Sequence, residues 1–89
     1  MISIDEFIAR SGSSVSPDEV RSRSRKTQVA IAREAYWYYL RVRHGLGPRR
    51  ISRLDGRCKE TVFSGLKTIQ NLLETNHPLV SPYQHILCN

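Results

Sequence analysis

Two helical patterns meet at Asp55-Gly56, and that junction constrains the fold more than any other part of the 89-residue chain. The stretch Ile51-Ser-Arg-Leu-Asp-Gly-Arg-Cys-Lys-Glu-Thr-Val62 reads as a short helix, a tight turn and the start of a second helix. An Asp-Gly pair lets the backbone reverse where a helix must stop. The first turn of the second helix is polar and basic, and only then does an apolar stripe begin. A short helix followed by a longer one that presents its N-terminal residues outward is the helix-turn-helix pattern, whose second helix enters the DNA major groove.

Elsewhere, too, every segment reads as helix. Ser3-x-x-Glu6 is a capping box, and Ser11-Gly12-Ser13-Ser14 closes the helix it opens. Ser16-Pro17-Asp18-Glu19 starts a second, short helix. From about Thr27 to His44, Val29, Ala32, Ala35 or Tyr36, Tyr39 and Val42 or Arg43 follow a 3.6-residue period, ended by Gly45 and Gly47. Pro48 opens a short helix expected to turn Ile51 and Leu54 inward. From Cys58 to about Thr75, the residues Val62, Leu66, Ile69 and Leu73 give an apolar stripe, widened by Phe63 and Leu72. Ser81-Pro82 starts a last turn that folds Tyr83, Ile86 and Leu87 onto the core. No strand pattern or internal repeat is present. The expectation is a single all-α domain over 1–89, with five to six helices including a helix-turn-helix.

Charge narrows the function. The formal net charge is +6, and 12 of the 14 Lys and Arg fall between Arg21 and Lys59, against two acids, Glu34 and Asp55. That segment is therefore net +10 (12 − 2), and the rest of the chain is net −4 (2 − 6). Segregation of this kind suits a polyanionic partner. The acidic start, Met1 to Glu6, lacks the apolar run of a signal peptide, and no stretch approaches a membrane span. A cytoplasmic, nucleoid-associated protein is the expectation. Cys58 and Cys88 form no framework, and His77, His85 and Cys88 lack zinc-ligand spacing. No nucleophile–base pair or carboxylate dyad stands out, so neither an enzyme, a small-molecule substrate, a metal nor a cofactor is expected.

The order of these blocks resembles the C-terminal DNA-binding domain of DnaA-type bacterial replication initiators. Ile4 to Ser16 resembles the family's leading helix and turn, Ser22-Arg-Ser-Arg-Lys26 its basic loop, and Ala32-Arg33-Glu34 the start of its long helix. Asp55-Gly-Arg-Cys-Lys-Glu-Thr-Val62 resembles the signature usually written G-G-R-D-H-T-T-V, matching at Gly56, Arg57, Thr61 and Val62. The resemblance implies a Trp-repressor-like fold. It also implies an arginine entering the minor groove, which aligns with Arg25, and base contacts from Arg57, Cys58, Lys59, Glu60 and Thr61. Cys58, Lys59 and Glu60 replace the family's Asp-His-Thr, so its target sequence does not carry over. The chain has no G-x-x-x-x-G-K-[ST] motif, so nucleotide hydrolysis by that route is excluded.

The candidate base contacts are therefore Arg57, Lys59, Glu60 and Thr61, with Arg25 in the minor groove. Arg21, Arg23, Lys26, Arg33, Arg49, Arg50 and Arg53 are candidate phosphate contacts. The partner expected is double-stranded DNA, and the role that of a small bacterial or phage regulator of transcription or replication. Two alternatives use Tyr36-Trp37-Tyr38-Tyr39. Exposed, these aromatics would stack single-stranded bases or form a patch for a homodimer or an initiator-type protein partner; core packing would remove both.

Overall fold

The computed structural model describes residues 2–13, 15–22 and 26–87. Over the described residues it is all-α, with six helices: α1 (Ile4–Ser11), α2 (Pro17–Arg21), α3 (Thr27–His44), α4 (Pro48–Asp55), α5 (Lys59–Glu74) and α6 (Gln84–Leu87). A 3-10 segment, Pro78–Tyr83, joins α5 to α6. No helix among the described residues is long and apolar enough to cross a membrane.

The helix ends follow local chemistry. Ser3 Oγ accepts from the Glu6 backbone N–H at 3.3 Å, and Ser16 Oγ from that of Asp18 at 3.2 Å. Each serine fills one of the donor vacancies at a helix start. Gly45 ends α3 at φ 65°, and the Leu46 N–H returns to the Leu40 carbonyl at 3.2 Å. Gly56 ends α4 at φ 67°, with the Arg57 N–H on the Ser52 carbonyl at 3.1 Å. Glycine reaches this left-handed region without a Cβ penalty, so α4 stops within one residue.

α3 is the central helix and packs on every other element. Its first half joins a larger core built around Phe7, which is fully buried and stacked on Tyr83 with ring centroids 5.7 Å apart. Val20, Val29, Ala32, Ile69, Val80 and Leu87 complete this core. Its second half joins a smaller one, in which Trp37 and Leu40 meet Ile51 of α4 and Val62 of α5. The aromatic run is thereby resolved: Trp37 is buried, and Tyr36, Tyr38 and Tyr39 are half-buried against the core.

Leu54 and Phe63, expected inside, are outside, and so is Val42, which the period left as an alternative to Arg43. Val42 is 52% exposed, Leu54 63% and Phe63 55%. A helix turns about 100° per residue. In α4 Ile51 is the buried residue and the exposed Asp55 reaches to Trp37, and this leaves Leu54 turned away. In α5, Val62, Gly65 and Ile69 define the buried line, and Phe63 sits about 100° from Val62. In α3 the line passes through Val29, Arg33, Trp37 and Leu40 instead of running on to Val42.

α3 and α5 approach tightly at Gly65. A Cβ there would lie 2.8 Å from Glu34 Cγ and 2.9 Å from two carbons of the Trp37 ring. Glu34 is thus partly enclosed between the helices. Desolvation, opposed in part by Arg33, raises its carboxyl from 4.5 to about 7. The folded state then holds this proton more tightly than the unfolded chain does. The stabilisation is therefore fully present below about pH 4.5 and is lost as the pH rises through about 7. After allowance for solvent screening of a group this open, the expected loss is on the order of 1–2 kcal/mol. Urea unfolding across that range measures it, and Glu34→Gln should flatten the profile; an equally steep profile in the variant would assign the effect elsewhere.

Candidate nucleic-acid interface

Gly56, Arg57 and Cys58 are all that separates α4 from α5, and three hydrogen bonds fix this turn. Asp55 Oδ2 accepts from Trp37 Nε1 and from Arg57 Nε, each at 3.1 Å. Arg57 Nη2 then donates to the Ser22 carbonyl at 3.0 Å. The same carbonyl accepts from Arg33 Nη2 at 2.8 Å, and Arg33 Nε donates to the Val20 carbonyl at 3.0 Å. Two guanidinium groups therefore serve the carbonyls at the C-terminal end of α2, where a helix leaves acceptors unfilled and carries partial negative charge.

This network reassigns two candidates. Arg33, expected at the surface, is 7% exposed and engaged with α2. Its burial, reinforced by nearby Arg57, holds its pKa below the ordinary arginine range. Arg57 is not at the tip of a helix. Its side chain is 17% exposed and paired with Asp55, so in this conformation it braces the turn and does not reach outward. The sequence carried a signal for Arg33, which falls between Val29 and Trp37 on the buried stripe of α3. The signal for Arg57 was weaker, residing in its closeness to Asp55.

Arg21 also differs from expectation. It pairs with Asp5 and, at 3.2 Å, with Asp18. Asp18 is a neighbour within α2, whereas Asp5 belongs to α1. Lys26 is exposed and occupies the N-cap position of α3 without a side-chain hydrogen bond to the helix start. Arg23 and Arg25 lie outside the described residues. The anchoring of Ser22 on Arg57 nevertheless places the entry to that basic segment beside the α4–α5 turn.

The remaining candidates share one region. Lys59, Glu60 and Thr61 form the exposed first turn of α5, and Arg49, Arg50 and Arg53 are exposed on α4. Among the described residues, none of Arg49, Arg50, Arg53 and Lys59 has a carboxylate within ion-pairing distance. Cys58 precedes α5 without capping it through its side chain; its Sγ lies 2.8 Å from Thr61 Oγ1. That hydrogen bond holds the thiol below its ordinary pKa, and it engages the Thr61 hydroxyl with its neighbour. His77 and His85 are engaged separately, His77 Nδ1 accepting from the Leu79 N–H and His85 Nε2 lying 3.0 Å from the Arg10 carbonyl.

A stretch of 56 residues, 63% of this chain, is 34% identical to the chromosomal replication initiator protein DnaA of Kosmotoga olearia. This chain is similar to part of a DnaA protein. The matched stretch spans 12% of that initiator's length. No protein-family model matches the chain, and no solved structure matches it significantly.

Proposed function

We propose that the chain binds duplex DNA with sequence preference, through α4, the turn and α5 acting as a helix-turn-helix, and serves as a small regulator of transcription or replication. The observation that carries this reading is the exposed, acid-poor surface formed by Arg49, Arg50 and Arg53 beside the first turn of α5. In this docking the α4 arginines meet phosphates, while Lys59, Glu60 and Thr61 face base edges. Lysine donates to guanine O6 or N7, and a threonine methyl suits thymine. Similarity to part of an initiator supports a DNA-related role. By the same resemblance, Arg25 is the minor-groove residue. Burial of Trp37 and half-burial of the neighbouring tyrosines weigh against a stacking platform for single strands.

Selection of bound duplexes from a random pool tests the reading and yields the site. On the selected duplex, the logarithm of affinity should fall with the logarithm of salt at a slope of about −4 to −6, from five or six neutralised phosphates. No enrichment over the starting pool, together with a slope near zero, would sink it.

A further inference from the structure

We infer that Phe63 is a specificity-determining residue of α5 that packs against the 5-methyl group of a thymine in the major groove. The inference rests on the duplex-binding reading above. Phe63 is 55% exposed, whereas Phe7, Trp37 and Tyr83 are buried and the other tyrosines half-buried. The fold leaves this ring outside although α5 has an apolar line to place it on. It stands one helical turn after Lys59 and one before Lys67, on the same face of α5. The Lys67 ammonium lies 5.9 Å from the ring centroid.

Facing the ring, Gly47, Pro48 and Arg49 at the start of α4 complete an open cleft of about 670 Å³. Pro48 and Phe63 give it apolar surface, and Arg49, Lys59 and Lys67 line it together with Glu60 and Ser64. Cations beside apolar surface complement phosphates flanking a base-pair edge. The apolar group that a major groove offers there is the thymine methyl, which aromatic and aliphatic side chains contact. Phe63 thus adds an apolar contact to the polar set at Lys59, Glu60 and Thr61, one turn further along the helix.

The test uses the full chain and its selected duplex, with each thymine replaced in turn by deoxyuridine, which removes only the methyl. For the unsubstituted protein, one replacement should weaken binding roughly fourfold, the value of one buried methyl group. Phe63→Ala should erase that difference while leaving the other positions unchanged, and Phe63→Leu should retain most of it. Equal uridine penalties in the unsubstituted protein and Phe63→Ala, or no thymine with a penalty, would overturn the inference; an acidic protein partner would then be the better occupant of the cleft. Circular dichroism checks the fold of each variant, and Phe63→Gln serves the same comparison if the alanine variant loses helicity. If the unsubstituted chain does not prefer the selected duplex over a scrambled one, the duplex-binding reading fails and this inference with it. If that preference survives but the uridine profile of Phe63→Ala is unchanged, only the role of Phe63 is removed.

Discussion

Replacing Asp55 by alanine is expected to destabilise the folded chain by about 1–2 kcal/mol, the range for leaving the part-buried indole N–H of Trp37 without its acceptor. The carboxylate accepts from both Trp37 Nε1 and Arg57 Nε. Trp37 is 2% exposed, so its indole N–H would be left in the smaller core without an acceptor. Arg57 would keep its charge beside Arg33 and lose the carboxylate that offsets it. Asp55→Asn retains an acceptor for the indole and should cost about half as much. Urea denaturation reads both, as a shift in midpoint at constant slope. Duplex binding should weaken as well, because the turn that sets the first residues of α5 would be free to move. A cost below about 0.5 kcal/mol, ordinary for a surface change, would mean the Asp55 bonds do not hold the turn.

Gly65→Val is the second large effect, with an expected cost of about 3 kcal/mol. The clash begins at Cβ, 2.8 Å from Glu34 Cγ and 2.9 Å from the Trp37 ring. Glu34 can swing aside. The indole is enclosed by Leu40, Ile51 and Val62 and cannot do so cheaply. Gly65→Ala separates the two contributions: its higher helix propensity returns about 1 kcal/mol against the same Cβ contact. Valine brings two further methyl groups and less of that gain. The ordering glycine, alanine, valine in decreasing thermal stability is the expected outcome; an alanine variant more stable than the parent would show that α3 and α5 separate readily here.

The all-α fold and its helix boundaries were legible because they rest on local rules. Ser3, Ser16, Gly45 and Gly56 mark helix ends by their own conformational and hydrogen-bonding preferences, and the structure uses each of them this way. The facing of side chains was less legible. Leu54 and Phe63 were assigned inward on hydrophobicity, yet which face of a short helix turns inward depends on its neighbours. Asp55, a polar residue, sets the facing of α4 through Trp37. The candidate surface divided along the same line. Exposure of Lys59, Glu60, Arg49, Arg50 and Arg53 followed from polarity and period. The engagement of Arg33 and Arg57 with one carbonyl on α2 joins residues 11 and 35 positions away from Ser22, which no local pattern specifies. Phe63 was visible as an aromatic in an apolar stripe; its exposure became apparent only once Val62, Gly65 and Ile69 were seen to define the contact.

The Ser22 carbonyl held by Arg33 and Arg57 acts as a hinge pin between the two basic parts of the molecule. On one side it fixes where the chain enters residues 23–25; on the other it is tied through Arg57 and Asp55 to the start of α5. The separation of Ser22 from the start of α5 is thereby set by the Arg57 and Asp55 side chains, through hydrogen bonds at the protein surface.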